Sequence, residues 1–170
     1  MPSVNCSPSL KLKPNRTLGD VRRIAYDLRP PALDQLGLVP AIQEHVTALG
    51  RPGGLDIVLE TPEELPELPA AIEVAAYRIV LEALTNVTHH ASASRCNLRL
   101  EANGWLEVEI VDNDRGLPES LKPGVGISSM IERAAELGGT CTIITKPGGS
   151  TQVLAQLPLE LAYNDGVEGV

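Results

Sequence analysis

Glu82, Asn86 and His90 recur every fourth residue through a stretch, residues 69–91, that otherwise reads as one long amphipathic helix. At about 100° per residue, Ile72, Ala75, Ala76, Ile79, Ala83 and Val87 form its apolar face. Asn86 and His90 fall inside that face and Glu82 lies on its margin, so the three side chains stack along one line. A buried polar group left unpaired costs about 1–3 kcal/mol, so something must satisfy them. Two readings stay open on the pattern alone. One is a structural hydrogen-bond network; the other is a metal and phosphate site with the Asn86 amide oxygen as a hard ligand for Mg²⁺.

Asp112 is the second residue out of pattern. It continues the alternation Leu106, Val108, Ile110, so its carboxylate points to the core face at a strand end, where it could accept a ligand's donor group. Because Asn113-Asp114-Arg115-Gly116 is turn chemistry, an ordinary turn aspartate is the competing reading. Gly124-Val125-Gly126 stands directly before a helical run, where free N–H groups and the helix dipole favour an anion. Neither a phosphate-binding G-K-[ST] loop nor a dinucleotide fingerprint is present, since no strand leads into it. Gly148-Gly149-Ser150-Thr151 reads as a hairpin turn followed by a hydroxyl.

The elements that must position these residues follow from periodicity. A helix is expected over 17–29, with Leu18, Val21, Ile24, Ala25 and Leu28 in register and Pro30-Pro31 ending it. A second spans 38–49 and stops at Gly50. Leu55, Ile57 and Leu59 alternate as a strand, ahead of a Pro- and Glu-rich loop over 61–69. Residues 96–112 read as a hairpin, with Asn103-Gly104 suited to a type I′ turn. A helix over 127–137 closes at Gly138-Gly139, and strands over 140–146 and 152–157 finish the pattern. Helices on one face of a mixed, mainly antiparallel sheet is the architecture these elements make, an α/β two-layer sandwich.

Composition excludes several alternatives. The formal net charge is −8 over 170 residues, which disfavours clamping a nucleic acid backbone. With no Phe and one Trp, the core must be built from Leu, Ile, Val and Ala. Cys6, Cys96 and Cys141 are odd in number and widely spaced, which suggests neither a disulfide framework nor a zinc site and fits a reducing, cytoplasmic compartment. The richest apolar stretch, residues 70–84, is broken by Glu73, Arg78 and Glu82, so no membrane contact is expected of this chain. Any membrane attachment is expected in a part N-terminal to it.

The signals occur in the order and spacing of one family. The chain resembles the ATP-binding domain of two-component sensor histidine kinases, of the nitrate-sensor-like subfamily with a short ATP lid. Glu82-Ala-Leu-Thr-Asn86 with His90-Ala91 looks like the family's N box, and Asp112-Asn-Asp-Arg-Gly116-Leu like its first glycine box. Gly124-Val-Gly126-Ile, with Met130-Ile-Glu132-Arg133-Ala and Gly138-Gly139, resembles the second. Pro147-Gly-Gly-Ser-Thr151 is similar to the closing G-G-x-T turn. Residues 26–38 resemble the end of the second dimerisation helix and its joint.

That resemblance implies the Bergerat-type sandwich shared with gyrase, Hsp90 and mismatch-repair ATPases, with ATP and Mg²⁺ as cofactors. Asp112 would accept from the adenine amino group with Thr151 in support. Asn86 would hold Mg²⁺, with His90 beside it in the N box, and Glu82 would polarise or accept a proton near the γ-phosphate. Gly124 and Gly126 would give room at the phosphates, and Gly116 the lid hinge. The expected domains are a flexible lead-in over 1–16, a remnant of the second dimerisation helix over 17–31, the ATP-binding catalytic domain over 32–160 and a disordered tail over 161–170. The implied partners are a histidine-bearing dimerisation domain and a response regulator, with the longer protein a homodimer. A non-catalytic nucleotide-binding module and an anti-sigma-type serine kinase are the alternatives. Asp114 and Ser129 replace family glycines, and His89 a family Lys or Arg, so weak, Mg²⁺-dependent ATP binding is expected. The chain's three histidines, His45, His89 and His90, all fall within the expected catalytic domain. Incubation with labelled ATP alone should therefore yield no acid-labile phosphohistidine; its appearance would show that one of these three is the acceptor.

Overall fold

A computed structural model describes residues 29–50, 54–90, 92–114 and 124–160, with only the backbone of His90 described. The chain divides into two compact units at Pro30–Pro31, and every described element belongs to the second. The expected lead-in, the helix over 17–29 save its last residue, and the tail over 161–170 lie outside the described residues, and of the dimerisation joint over 26–38 only residues 29–38 are described.

Two short helices come first, α1 (Pro31–Leu36) and α2 (Leu38–Leu49). Pro31 begins α1, a helix the periodicity did not predict, as a proline can because its missing N–H has no partner in a first turn. Strand β1 (Asp56–Glu60) leads to the long helix α3 (Ala70–His90). The hairpin β2 (Arg95–Ala102) and β3 (Trp105–Asp112), helix α4 (Val125–Glu136), and strands β4 (Thr140–Thr145) and β5 (Thr151–Pro158) complete the unit. The sheet order is β1-β2-β3-β5-β4, parallel only between β1 and β2. This is the mixed, mainly antiparallel sheet with helices on one side that the pattern predicted.

Register explains why one face is apolar. Leu100, Val108, Ala155 and Cys141 form one row across β2, β3, β5 and β4, and Leu98, Ile110, Val153 and Ile143 the next. On α3, Ile72, Ala75, Ala76, Ile79, Val80, Ala83, Leu84 and Val87 are buried, and that helix packs over β3 and β5 and beside α2 and α4. Burying each large aliphatic side chain is worth about 1.5–3 kcal/mol. The opposite face is polar, with Glu109 accepting from Gln152 and Glu107 from Gln156, and with Lys146 3.6 Å from Glu109.

Two local expectations need correction. The β2–β3 connection is not a type I′ turn, which needs positive φ at both central residues. Only Gly104 has it, at +70°, and no described residue other than glycine does; the Asn103 N–H instead donates to the Trp105 carbonyl at 2.9 Å. Helix α4 starts at Val125, two residues before the predicted position, so Gly126 lies inside its first turn. Gly50 ends α2 as expected, in an extended conformation.

Gly139 closes α4 against β5. Its N–H donates to the Ala134 carbonyl at 2.9 Å, and a Cβ there would overlap the Gln156 carbonyl oxygen, with Leu157 Cδ2 at 3.1 Å. A backbone carbonyl cannot swing aside, so Gly139→Ala is expected to cost about 1–3 kcal/mol, the usual range for overpacking. Urea unfolding followed by circular dichroism measures this, and an unchanged midpoint would contradict such a tight approach.

Candidate functional site

The apolar rows of the sheet end in a polar one. Cys96 pairs with Asp112 across β2 and β3, and one register step past Val111↔Gln152 sets Asp112 opposite Thr151. Asp112 is only 6 % exposed and faces the helices, as its place in the alternation requires. Its Oδ1 accepts the N–H of Asp114 at 2.9 Å and that of Thr151 at 3.4 Å. The bond from Asp114, two residues on, is the turn chemistry of the competing reading. The turn reading accounts for one oxygen only: both bonds converge on Oδ1, and among the described residues no donor reaches Oδ2, which leaves the ligand-acceptor reading open.

Asn113 is the residue that the sequence reading passed over as plain turn chemistry. Its Oδ1 accepts the N–H groups of Ser94 and Arg95, each at 2.9 Å, while Nδ2 donates to Ser94 Oγ. Its own N–H donates to the Arg95 carbonyl at 3.1 Å. These bonds clamp the end of β3 to the start of β2, fixing the backbone from which Asp112 projects. An asparagine following an inward acid was the only available signal, and its partners lie 18 and 19 residues away in sequence.

Glu82 and Asn86 sit one turn apart on α3, both half-buried. Neither makes a hydrogen bond or ion pair among the described residues. His90 is the last residue of the helix. Gly124 is the N-cap of α4, which no side chain caps, and Gly126 is its second residue, with its α-carbon against the Glu82 carboxyl group. Two pairs are thus brought together: Asp112 with Thr151, and Glu82 with Gly126. Helix α3 packs on both strands of the first pair and on the helix of the second. Gly116 lies outside the described residues. Asp114 is half-buried beside Asp112, and Ser129 Oγ accepts from Arg133 at 3.2 Å.

Other features fall elsewhere. A groove of about 240 Å³ lined by Glu101, Asn103, Trp105, Glu107 and Gln156 lies at the far end of β3 from Asp112 and contains none of these residues. His45 is half-buried on α2, its Nε2 enclosed without a partner among the described residues, and burial lowers its pKa. No described helix is long and apolar enough to cross a membrane.

Comparisons with known proteins identify a family and a fold. The family described as histidine kinase-, DNA gyrase B-, and HSP90-like ATPase matches residues 71–161, from the start of α3 to just past β5. The signal transduction histidine-protein kinase/phosphatase DegS of Brevibacillus brevis is 34% identical over 146 residues, covering 84% of this chain and 38% of that protein. The sensor histidine kinase MctS of Rhizobium johnstonii is 31% identical over 150 residues, covering 85% of this chain and 32% of that protein. The chain thus spans about a third of the length of these curated relatives. The histidine kinase domain of the Erythrobacter litoralis EL346 blue-light activated histidine kinase superposes with a TM-score of 0.61 at 23% identity, covering 72% of this chain and 59% of that one, which establishes a shared fold.

The carboxylate row leaves a measurable trace on its neighbour. Burial first, and the charge of Asp112 second, push the Cys96 thiol up to about 12, while burial alone raises Cys141 to about 11. Both thiols are free, buried and un-ionised near neutral pH. Because their folded values exceed the ordinary value of 9.0, the stability they contribute is complete below pH 9 and is lost as pH rises toward 11–12. At pH 8, Cys96 and Cys141 should resist iodoacetamide in native buffer and react in denaturant, read by mass spectrometry of their peptides. Rapid native labelling of Cys96 would contradict its burial beside Asp112.

Proposed function

We propose that this chain, which belongs to the histidine kinase-, DNA gyrase B- and HSP90-like ATPase family, is the ATP-binding catalytic domain of a sensor histidine kinase. It transfers the γ-phosphoryl group of ATP to a histidine on a dimerisation domain outside the chain, for onward transfer to a response regulator. The observation that carries the reading is the buried Asp112 carboxylate, one oxygen pinned by backbone and the other without a donor among the described residues. An open acceptor at the polar end of an apolar sheet face fits a flat base that brings its own N–H group. A 6-aminopurine presents that donor; a 6-oxopurine presents an acceptor there and leaves the carboxylate unpaired.

The remaining residues fit the rest of a nucleotide. Thr151, opposite Asp112, supports the carboxylate through its N–H. The α4 N-terminus, entered through Gly124 and uncapped by any side chain, offers N–H groups to phosphate oxygens. Asn86 would hold Mg²⁺ through its amide oxygen, with His90 following one turn later. Such an ion binds through one or two protein ligands and takes the rest from phosphates and water. When bound, it supplies charge neutralisation across the phosphates, most of what phosphoryl transfer asks of an enzyme besides positioning. Glu82, one turn before Asn86, holds a carboxylate to take the proton of the incoming imidazole. Gly116 remains the proposed lid hinge.

The assembly follows the histidine kinase relatives, which favour this reading over the serine-kinase alternative. The longer protein is proposed as a homodimer that presents the acceptor histidine, with residues 17–31 as the remnant of its second dimerisation helix and 32–160 as the catalytic domain. A cytoplasmic setting, where ATP is supplied and thiols stay reduced, suits the free Cys96 and Cys141.

Titration calorimetry should show weak ATP binding that is lost when Mg²⁺ is chelated, and no GTP binding at the same concentrations. Asp112→Asn should weaken ATP binding by about tenfold or more, equal to about 1.4 kcal/mol, with the circular dichroism spectrum unchanged. Mixing wild-type chain with a histidine-bearing dimerisation domain and labelled ATP should label that domain. Equal ATP affinity in Asp112→Asn and wild type would remove the adenine reading, and ATP binding without any transfer would leave a binding module.

A further inference from the structure

The two glycines of Gly124-Val125-Gly126 are not equivalent. A Cβ built at Gly124 would meet nothing within 4 Å among the described residues. One built at Gly126 would stand 2.8 Å from Glu82 Cδ and 3.4 Å from its Cγ, overlapping Oε1. Backbone conformation does not require glycine at position 126, which lies within a right-handed helix and outside the positive-φ set. The three nearest atoms that a side chain there would meet all belong to Glu82.

Glu82 has no other tether among the described residues. It makes no hydrogen bond or ion pair among the described residues, although it is half-buried on α3. A glutamate on a helix face has three rotatable bonds and, without a neighbour, samples several rotamers. Here α4 crosses close to α3 and the bare α-carbon of Gly126 forms a wall of the space that the carboxyl group occupies.

We infer that Gly126 is a positioning residue for Glu82: its missing side chain opens the slot that holds the carboxylate in place, rather than making room for phosphate. The inference rests on the reading of Glu82 as proton acceptor. It assigns the two glycines to different tasks, Gly124 to the nucleotide side of the turn and Gly126 to the carboxylate of the neighbouring helix. A methyl group at 126 displaces the flexible end of a side chain rather than backbone, so the fold survives and the carboxylate moves.

The test is a double-mutant cycle on Gly126→Ala and Glu82→Ala, using the chain with a histidine-bearing dimerisation domain. Gly126→Ala should keep the melting temperature and hold ATP affinity within about twofold. It should slow phosphoryl transfer by roughly ten- to a hundredfold, the scale of a reacting group misplaced by about 1 Å. In the Glu82→Ala background the same change should have no further effect, since residues acting through one contact are not additive. Independently of transfer, the labelled Glu82 carboxyl carbon, assigned through Glu82→Gln, should shift its NMR resonance in Gly126→Ala without nucleotide. The inference is overturned if ATP affinity falls equally in both backgrounds, if transfer losses are additive, or if the Glu82 resonance stays in place. A wild-type chain that binds ATP yet transfers nothing sinks the kinase reading, while the resonance still decides the placement.

Discussion

The structure turns on a single acid in an apolar setting. Asp112 stands where the core face of the sheet runs out of hydrophobic rows, and a carboxylate there must be compensated or it destabilises the fold. The protein compensates half of it: backbone N–H groups of Asp114 and Thr151 reach one oxygen. The same burial that raises the cost of an unpaired acceptor raises the value of a ligand that pairs it. The carboxylate is thus rigid through one atom and receptive through the other.

Everything around Asp112 serves its placement. Asn113 welds the strand ends, Cys96 supplies a neutral, fully buried neighbour, and the parallel β1 completes the sheet beside β2. On the helical layer, α3 carries two further polar side chains without partners among the described residues, Glu82 and Asn86, and α4 meets it at Gly126. The polar groups of the candidate site thus come from strand ends and a helix face, while the apolar rows between them do the holding.

Much of this was legible in the sequence because it depends on period. The two-residue repeat of β2 and β3 fixed which way Asp112 faces, and the 3.6-residue repeat of α3 set Glu82 and Asn86 on one line. What periodicity cannot carry was missed. The Asn103-Gly104 turn was misjudged because the pair suits several turns and only the backbone angles decide among them. Helix α1 escaped because six residues are too few to show a period and a double proline reads as a stop. Asn113 looked like a turn residue because its partners are far away in sequence. The G-x-G step gave no sign that its glycines differ, since the side chain opposing Gly126 comes from another helix.

The relatives show the family; the site's chemistry is the part that remains to be measured. The most direct test is a crystal structure with a non-hydrolysable ATP analogue and Mg²⁺. The account predicts the adenine amino group donating to Asp112 Oδ2 at about 2.8–3.1 Å, with the Asn86 amide oxygen on the metal in the same cavity. Adenine bound away from Asp112, or Asn86 facing a region separate from the phosphates, would contradict it.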